Sequence, residues 1–127
     1  MSNILIIAEH SNNKLKKYSA ELAGKASELA AKLGGQAIAL LIGDNLNSIA
    51  NELGHYNIKK VLVAGECDSS KILCDVIAKE NPTIVLATHS AMGKDMMACV
   101  AMRLKTGLAS DCVGIDLYNG KIKVRRP

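Results

Sequence analysis

The stretch Asn81-Pro82-Thr83-Ile84-Val85-Leu86-Ala87-Thr88-His89-Ser90-Ala91-Met92-Gly93-Lys94-Asp95 decides how the chain is read. Pro82 opens it, and Ile84, Val85, Leu86 and Ala87 make an unbroken apolar run, as expected of a parallel strand buried on both faces. Residues 88–93 are a turn of small and polar residues. Met97, Val100, Ala101 and Leu104 then recur at helical spacing, and Gly107 offers a carboxyl-terminal cap. The reading is strand, tight turn, helix. Ligands of open α/β sheets gather at the carboxyl ends of the strands, so the turn at residues 88–94 is where function is expected.

The same grammar extends in both directions. Apolar runs at residues 4–8, 37–42 and 60–64 predict three more strands. A helix is predicted from Lys14, capped by Asn12 or Asn13, with Leu15, Tyr18, Leu22, Ala26, Leu29 and Leu33 on one stripe and Gly34-Gly35 as its stop. A short helix carries Leu46, Ile49, Ala50 and Leu53 up to Gly54. A third, capped by Asp68, Ser69 or Ser70, turns Ile72, Leu73, Val76 and Ile77 inward. Apolar alternation around Asn119-Gly120 predicts a terminal hairpin with a type I′ turn. The fold class expected is α/β: a Rossmann-like three-layer α/β/α domain with a mainly parallel sheet and a carboxyl-terminal β-hairpin.

Composition limits what such a domain does. At 127 residues, 49% of them hydrophobic, the chain is sized for one core. It has no Trp or Phe and only three tyrosines, so stacking platforms for single-stranded nucleic acid are missing. The net charge of +4 is scattered except at Lys59-Lys60 and residues 121–126, which argues against a nucleic-acid partner. Cys67, Cys74, Cys99 and Cys112 form no Cys-x-x-Cys pair and have no histidine at zinc-finger spacing; they read as reduced thiols, neither metal ligands nor a redox pair. The apolar run at residues 4–8 is too short for a membrane span or a signal sequence, so the expected location is cytoplasmic and not membrane-embedded. The sequence stops at Val124-Arg125-Arg126-Pro127 inside a strand pattern, which reads as a fragment of a longer protein.

Candidate chemistry concentrates in the first stretch. Ser90, Gly93 and Lys94 are weak anion-loop candidates: a helix amino terminus supplies free amides, Gly93 permits close backbone approach, and Lys94 adds charge. The competing reading makes Ser90 an N-cap and Gly93 a packing residue, and the spaced glycines of a phosphate loop are missing. Glu9 and His10 could serve as acid and base. However, adjacent residues on extended chain point in opposite directions and no nucleophile is near in sequence, so they read as solvated turn residues. His55 reads as a surface residue, and Ser110 with Asp111 has no histidine partner for a triad. No catalytic residue or metal site is assigned.

Several motifs in register carry a resemblance. Ile4-Leu5-Ile6-Ile7-Ala8-Glu9-His10, Lys32-Leu33-Gly34-Gly35, residues 87–94 and above all Thr106-Gly107-Leu108-Ala109-Ser110-Asp111 resemble the electron transfer flavoprotein alpha subunit, from the first strand to the last residue. The resemblance implies the amino-terminal α/β domain of such a subunit, residues 1–127, truncated before the FAD-binding domain. Its fold would be of the adenine nucleotide alpha hydrolase kind. It implies a scaffold that contacts a beta subunit and has no catalytic site of its own. The complete protein would use FAD, bound mainly by the missing domain, to pass electrons from flavin dehydrogenases to a membrane quinone reductase or similar acceptor. The beta subunit's equivalent domain holds AMP; the alpha domain is not expected to. The alternative is a free-standing adenine-nucleotide-binding domain of the universal-stress or nucleotide-alpha-hydrolase type, whose glycine-rich loops this sequence lacks.

Overall fold

The computed structural model describes residues 3–11, 13–43, 45–65, 69–88, 90–105, 114–118 and 121–125. In chain order the elements are β1 (Ile4–Ile7), β2 (His10–Ser11), β3 (Lys14–Leu15), α1 (Lys17–Leu33), β4 (Ala37–Ile42) and α2 (Asn47–Gly54). There follow β5 (Lys60–Ala64), α3 (Ser69–Glu80), β6 (Ile84–Leu86), α4 (Ala91–Leu104), β7 (Gly114–Tyr118) and β8 (Lys121–Arg125). Four strands form a parallel sheet in the order β5-β4-β1-β6. The expected hairpin is present: β7 and β8 pair antiparallel with Tyr118 opposite Lys121, although its Asn119-Gly120 turn lies outside the described residues.

Because strand side chains alternate, β1 feeds two cores at once. Ile4 and Ile6 join Ala23, Ala26 and Leu29 of α1 with Ile49 and Leu53 of α2 on one face, while Leu5 and Ile7 join Leu73 of α3 with Met96 and Val100 of α4 on the other. Helices on both sides of a parallel sheet make the three-layer α/β/α architecture that the sequence predicts. Both central strands, β1 and β4, are buried almost throughout. At the amino ends, the Thr83 amide donates to the Asn3 carbonyl at 2.8 Å and holds the entry to β6 against β1.

Local readings change in four places. In place of the cap expected at Asn12 or Asn13 and the helix expected from Lys14, β2 and β3 pair antiparallel, with Asn13 between them at φ 59°; α1 starts only at Lys17 and has no side-chain cap. Asparagine tolerates that left-handed backbone, which lets the turn win over the cap. The buried stripe of α1 is accordingly Ser19, Ala23, Ala26, Leu29 and Ala30, with Tyr18 exposed and Leu22 and Leu33 half-buried.

Strand β6 is half-buried, not buried on both faces, because among the described residues it stands at the sheet's edge. In α4 the closed positions are Met96 and Val100, whereas Met97 and Ala101 are half-buried and Leu104 is 41% exposed. That helix ends on Lys105 in the left-handed conformation (φ 53°), before Gly107 is reached. Leu73 alone of the predicted α3 face is fully buried; Ile72, Val76 and Ile77 are partly so.

Candidate functional site

Strand β1 delivers Glu9 and His10 to the carboxyl end of the sheet, between the exits of β4 and β6. The backbone is set first. The Glu9 amide donates to Ser19 Oγ at 2.8 Å, and the Glu9 carbonyl accepts from the Lys16 amide at 3.0 Å, which ties this segment to the entry of α1. From there the two side chains part. Glu9 turns toward β6 and α4, and the His10 ring turns toward β4, its Nε2 lying 2.9 Å from the Ile42 carbonyl oxygen. A carbonyl only accepts, so this contact selects the Nε2-protonated ring. Gly43, at φ 145°, lets the ring close in, since a Cβ there would meet His10 Cε1 and Nε2 at 3.2 Å.

Glu9 is 8% exposed, and a carboxylate in such a place must be surrounded by donors. Three hydroxyls provide them. Tyr18 Oη donates to Oε1 at 3.1 Å, Ser90 Oγ donates to Oε2 at 2.7 Å, and Thr88 Oγ1 donates to the same Oε2. Ser90 is also the N-cap of α4: its Oγ accepts the Gly93 amide at 3.0 Å. The Glu9 charge therefore sits one hydroxyl away from the positive end of the α4 dipole, where negative charge is favoured. Lys16 lies on the outer side of the cluster, with Nζ 5.5 Å from the Tyr18 ring centroid. Its ammonium is held above the ordinary lysine value, first by hydrogen bonding with Tyr18, then by the Tyr18 charge and, to a smaller extent, by Glu9, with burial opposing.

The three anion-loop candidates are thus placed as follows. Ser90 caps α4 and serves Glu9. Gly93 is buried, and a Cβ on it would come within 2.2 Å of the Thr88 carbonyl oxygen, so the space its missing side chain frees is taken by backbone. Lys94 is exposed, and its amide already donates to the Ser90 carbonyl at 2.8 Å. Glu9 and His10, read as solvated turn residues, prove to be buried and half-buried, Glu9 within the hydroxyl cluster and His10 against the exit of β4. The sequence did signal their opposite directions, but nothing local linked Glu9 to hydroxyls about eighty positions away. His55 is exposed, as expected. His89, Cys67, Cys112 and residues 106–111 lie outside the described residues, while Cys74 and Cys99 are free, half-buried thiols.

Among the described residues no group of histidine, cysteine or carboxylate side chains is arranged to hold a metal, and no helix is long and apolar enough to cross a membrane. A surface concavity of about 670 Å³ lies at the opposite end of the sheet, lined by Gly24, Ser27, Gln36, Tyr56, Asn57 and Lys59 among others. Glu28 lines it as well, and the Ser27 hydroxyl is engaged with the Tyr56 carbonyl. At the head of α4 the Gly93 amide is taken by Ser90 Oγ, and a phosphate brought there would face the Glu9 carboxylate.

By architecture the chain is a doubly wound α/β domain, and comparison with solved structures agrees. A universal stress protein crystallised with cAMP superposes with a TM-score of 0.60 over 83% of this chain and 91% of its own, at 15% identity. That likeness concerns the fold alone. The family is given by sequence: residues 4–127 match the electron transfer flavoprotein domain, and the chain belongs to that family. Similar relatives include the electron transfer flavoprotein subunit alpha of Bacillus subtilis (strain 168), 34% identical, with 98% of this chain matching 40% of that subunit. Protein FixB of Clostridium saccharobutylicum is 34% identical with the same coverage, and the acryloyl-CoA reductase electron transfer subunit beta of Anaerotignum propionicum is 32% identical over 94% of this chain and 35% of its own. The chain spans well under half the length of these relatives.

Proposed function

We propose that this chain is the amino-terminal domain, residues 1–127, of an electron transfer flavoprotein alpha subunit, and that it serves as a scaffold contacting a beta subunit without a catalytic site of its own. In this reading the full-length subunit carries FAD in a following domain. The assembled protein takes electrons from flavin dehydrogenases and delivers them to a quinone reductase or similar acceptor, in the cytoplasm. The observation that carries the proposal is the match of almost the whole chain to relatives named as electron transfer subunits. The carboxyl-end crevice supports it further. Glu9 there is held by the Tyr18, Thr88 and Ser90 hydroxyls, and Ser90 Oγ is committed as well to the Gly93 amide that it caps.

The test is spectroscopic and uses reconstitution. The purified chain incubated with excess FAD should remain colourless after desalting, and with a beta subunit alone it should support no dehydrogenase-linked electron transfer. Supplying the rest of an alpha subunit should restore both flavin and transfer. Stoichiometric flavin on the isolated chain would overturn the scaffold role.

The fold shared with a cAMP-bound universal stress protein motivates the second reading, a free-standing adenine-nucleotide-binding domain. Titration with AMP and ATP separates the two. The scaffold reading expects nothing tighter than about millimolar, or ~4 kcal/mol. Micromolar affinity lost in Lys94→Ala would establish the nucleotide reading.

A further inference from the structure

Glycine is a poor residue for the interior of a helix, yet α1 carries Gly24 there. A helix usually keeps such a glycine where something must come close. Here a Cβ would meet nothing within 4 Å, so no close packing inside the domain calls for the missing side chain. The room it leaves belongs to the concavity of about 670 Å³ at the amino end of the sheet, between α1 and the connection from α2 to β5, a volume in the range of binding sites. Ser27 and Ala31 follow Gly24 into this space at helical spacing, and the buried Ala30 and Ala37 line it as well, so α1 and β4 offer it mostly small apolar groups. Its walls are fixed. The Ser27 hydroxyl donates to the Tyr56 carbonyl across the gap, and the Lys59 amide donates to the Ala37 carbonyl at 3.1 Å.

The charges at its rim are unbalanced. Glu28 lies between Lys25 and Lys32, 3.7 and 3.6 Å from their ammonium groups, while Lys59, exposed on the opposite wall, makes no ion pair among the described residues. Three lysines against one carboxylate leave the mouth cationic. We propose that this concavity seats an acidic segment of the beta subunit: an apolar side chain of the partner packs over Gly24 and Ala31, and a carboxylate beside it meets Lys59. The inference rests on the scaffold reading, which supplies the partner, and it gives that reading a surface. Charge complementarity selects an acidic occupant, and a second copy of this chain, with a net charge of +4, fits the cationic mouth less well. Because the walls already stand, seating such a segment requires little ordering on this side of the interface. Gly24 then weakens α1 for the sake of the contact.

Calorimetric titration of the purified chain with a beta subunit, at low and at high salt, tests this. Wild type should bind, and less tightly in high salt. Gly24→Leu fills the space with a good helix former; it should bind roughly tenfold more weakly, or worse, while its thermal unfolding temperature is not lowered. Lys59→Glu, at an exposed position where folding is not at stake, should also weaken binding and flatten its salt dependence. Lys17→Glu, the same charge change at the start of α1, should do neither. Wild-type affinity in a folded Gly24→Leu, or equal effects of Lys59→Glu and Lys17→Glu, would overturn the proposal and leave the scaffold reading standing. Failure of wild type to bind a beta subunit at either salt would remove both. Self-association in sedimentation that Gly24→Leu abolishes would give the concavity to a second copy and overturn the proposal as well.

Discussion

The two faces of the sheet are closed to different degrees. On the α1/α2 face Ile4, Ile6, Ala39, Leu41, Leu29 and Leu53 are wholly inaccessible. On the α3/α4 face Leu5, Leu40 and Leu73 are as well buried, but Ile72, Val76, Ile77 and Met97 pack around them only partly buried. A sheet buries its central strands from both sides, whereas its helices bury only the stripe they press inward. The difference lies in the helices. α1 offers small residues, Ala23, Ala26 and Ala30, that allow close approach to the sheet, while α3 and α4 bring longer side chains to a looser contact.

Truncation should reveal this as a gradient in stability. Leu41→Ala, at a wholly inaccessible site, should cost about 3–4 kcal/mol in urea unfolding, within the range for buried leucines. Ile77→Ala on the other face should cost distinctly less, about 1–2 kcal/mol, because less apolar area leaves water on folding. Equal losses would mean that the α3/α4 face is as tightly packed as the first and would break the comparison.

Two glycines sharpen it at the next scale. A Cβ at Gly93 would stand 2.2 Å from the Thr88 carbonyl oxygen, whereas one at Gly24, on the exposed side of α1, meets nothing within 4 Å. Gly93→Ala should therefore cost about 2–3 kcal/mol as α4 is pushed from its turn. Gly24→Ala should instead stabilise by about 0.5–1 kcal/mol, since alanine restricts the unfolded chain and favours the helix. Thermal unfolding of both variants gives the two signs directly.

The sequence made the sheet, its strands and the terminal hairpin legible because apolar runs and an Asn-Gly pair are local signals. It failed where the deciding partner was distant. Leu15 and Tyr18 fitted a helical stripe until Asn13 turned the chain into a hairpin. The run at residues 84–87 looked central because it is apolar throughout, but neighbours in a sheet cannot be counted from one strand. Ser90 was recognisable as a cap from its place before the helix. The carboxylate it also serves was not, because Glu9 and Ser90 meet only once β1 and β6 pair. Ser90→Ala removes both the cap and one of the Glu9 donors, so its cost should be about 1–2 kcal/mol, the upper half of the usual range for a cap. In a Glu9→Gln background the same change should cost less, because the hydrogen bond to a charged acceptor is already gone. Additive losses by chemical denaturation would show that the two residues act independently.

The smallest effect belongs to Lys16, on the outer rim of that cluster. Its ammonium is raised above 10.5 chiefly by Tyr18, with Glu9 a lesser cause, and a raised lysine favours the folded state while it is protonated. The sign follows: the contribution is complete below the unfolded value of 10.5 and is lost as pH rises through the higher folded value. Comparing wild type with Lys16→Met, the difference in urea midpoint should stay flat from about pH 6 to pH 9 and close only in more alkaline buffer. Added salt should shrink it, since the ammonium is solvent-facing and such interactions are screened. A difference that instead changes between about pH 6 and pH 8 would mean that the lysine ammonium is not what the comparison reads, and the assignment of a peripheral role to Lys16 would fail.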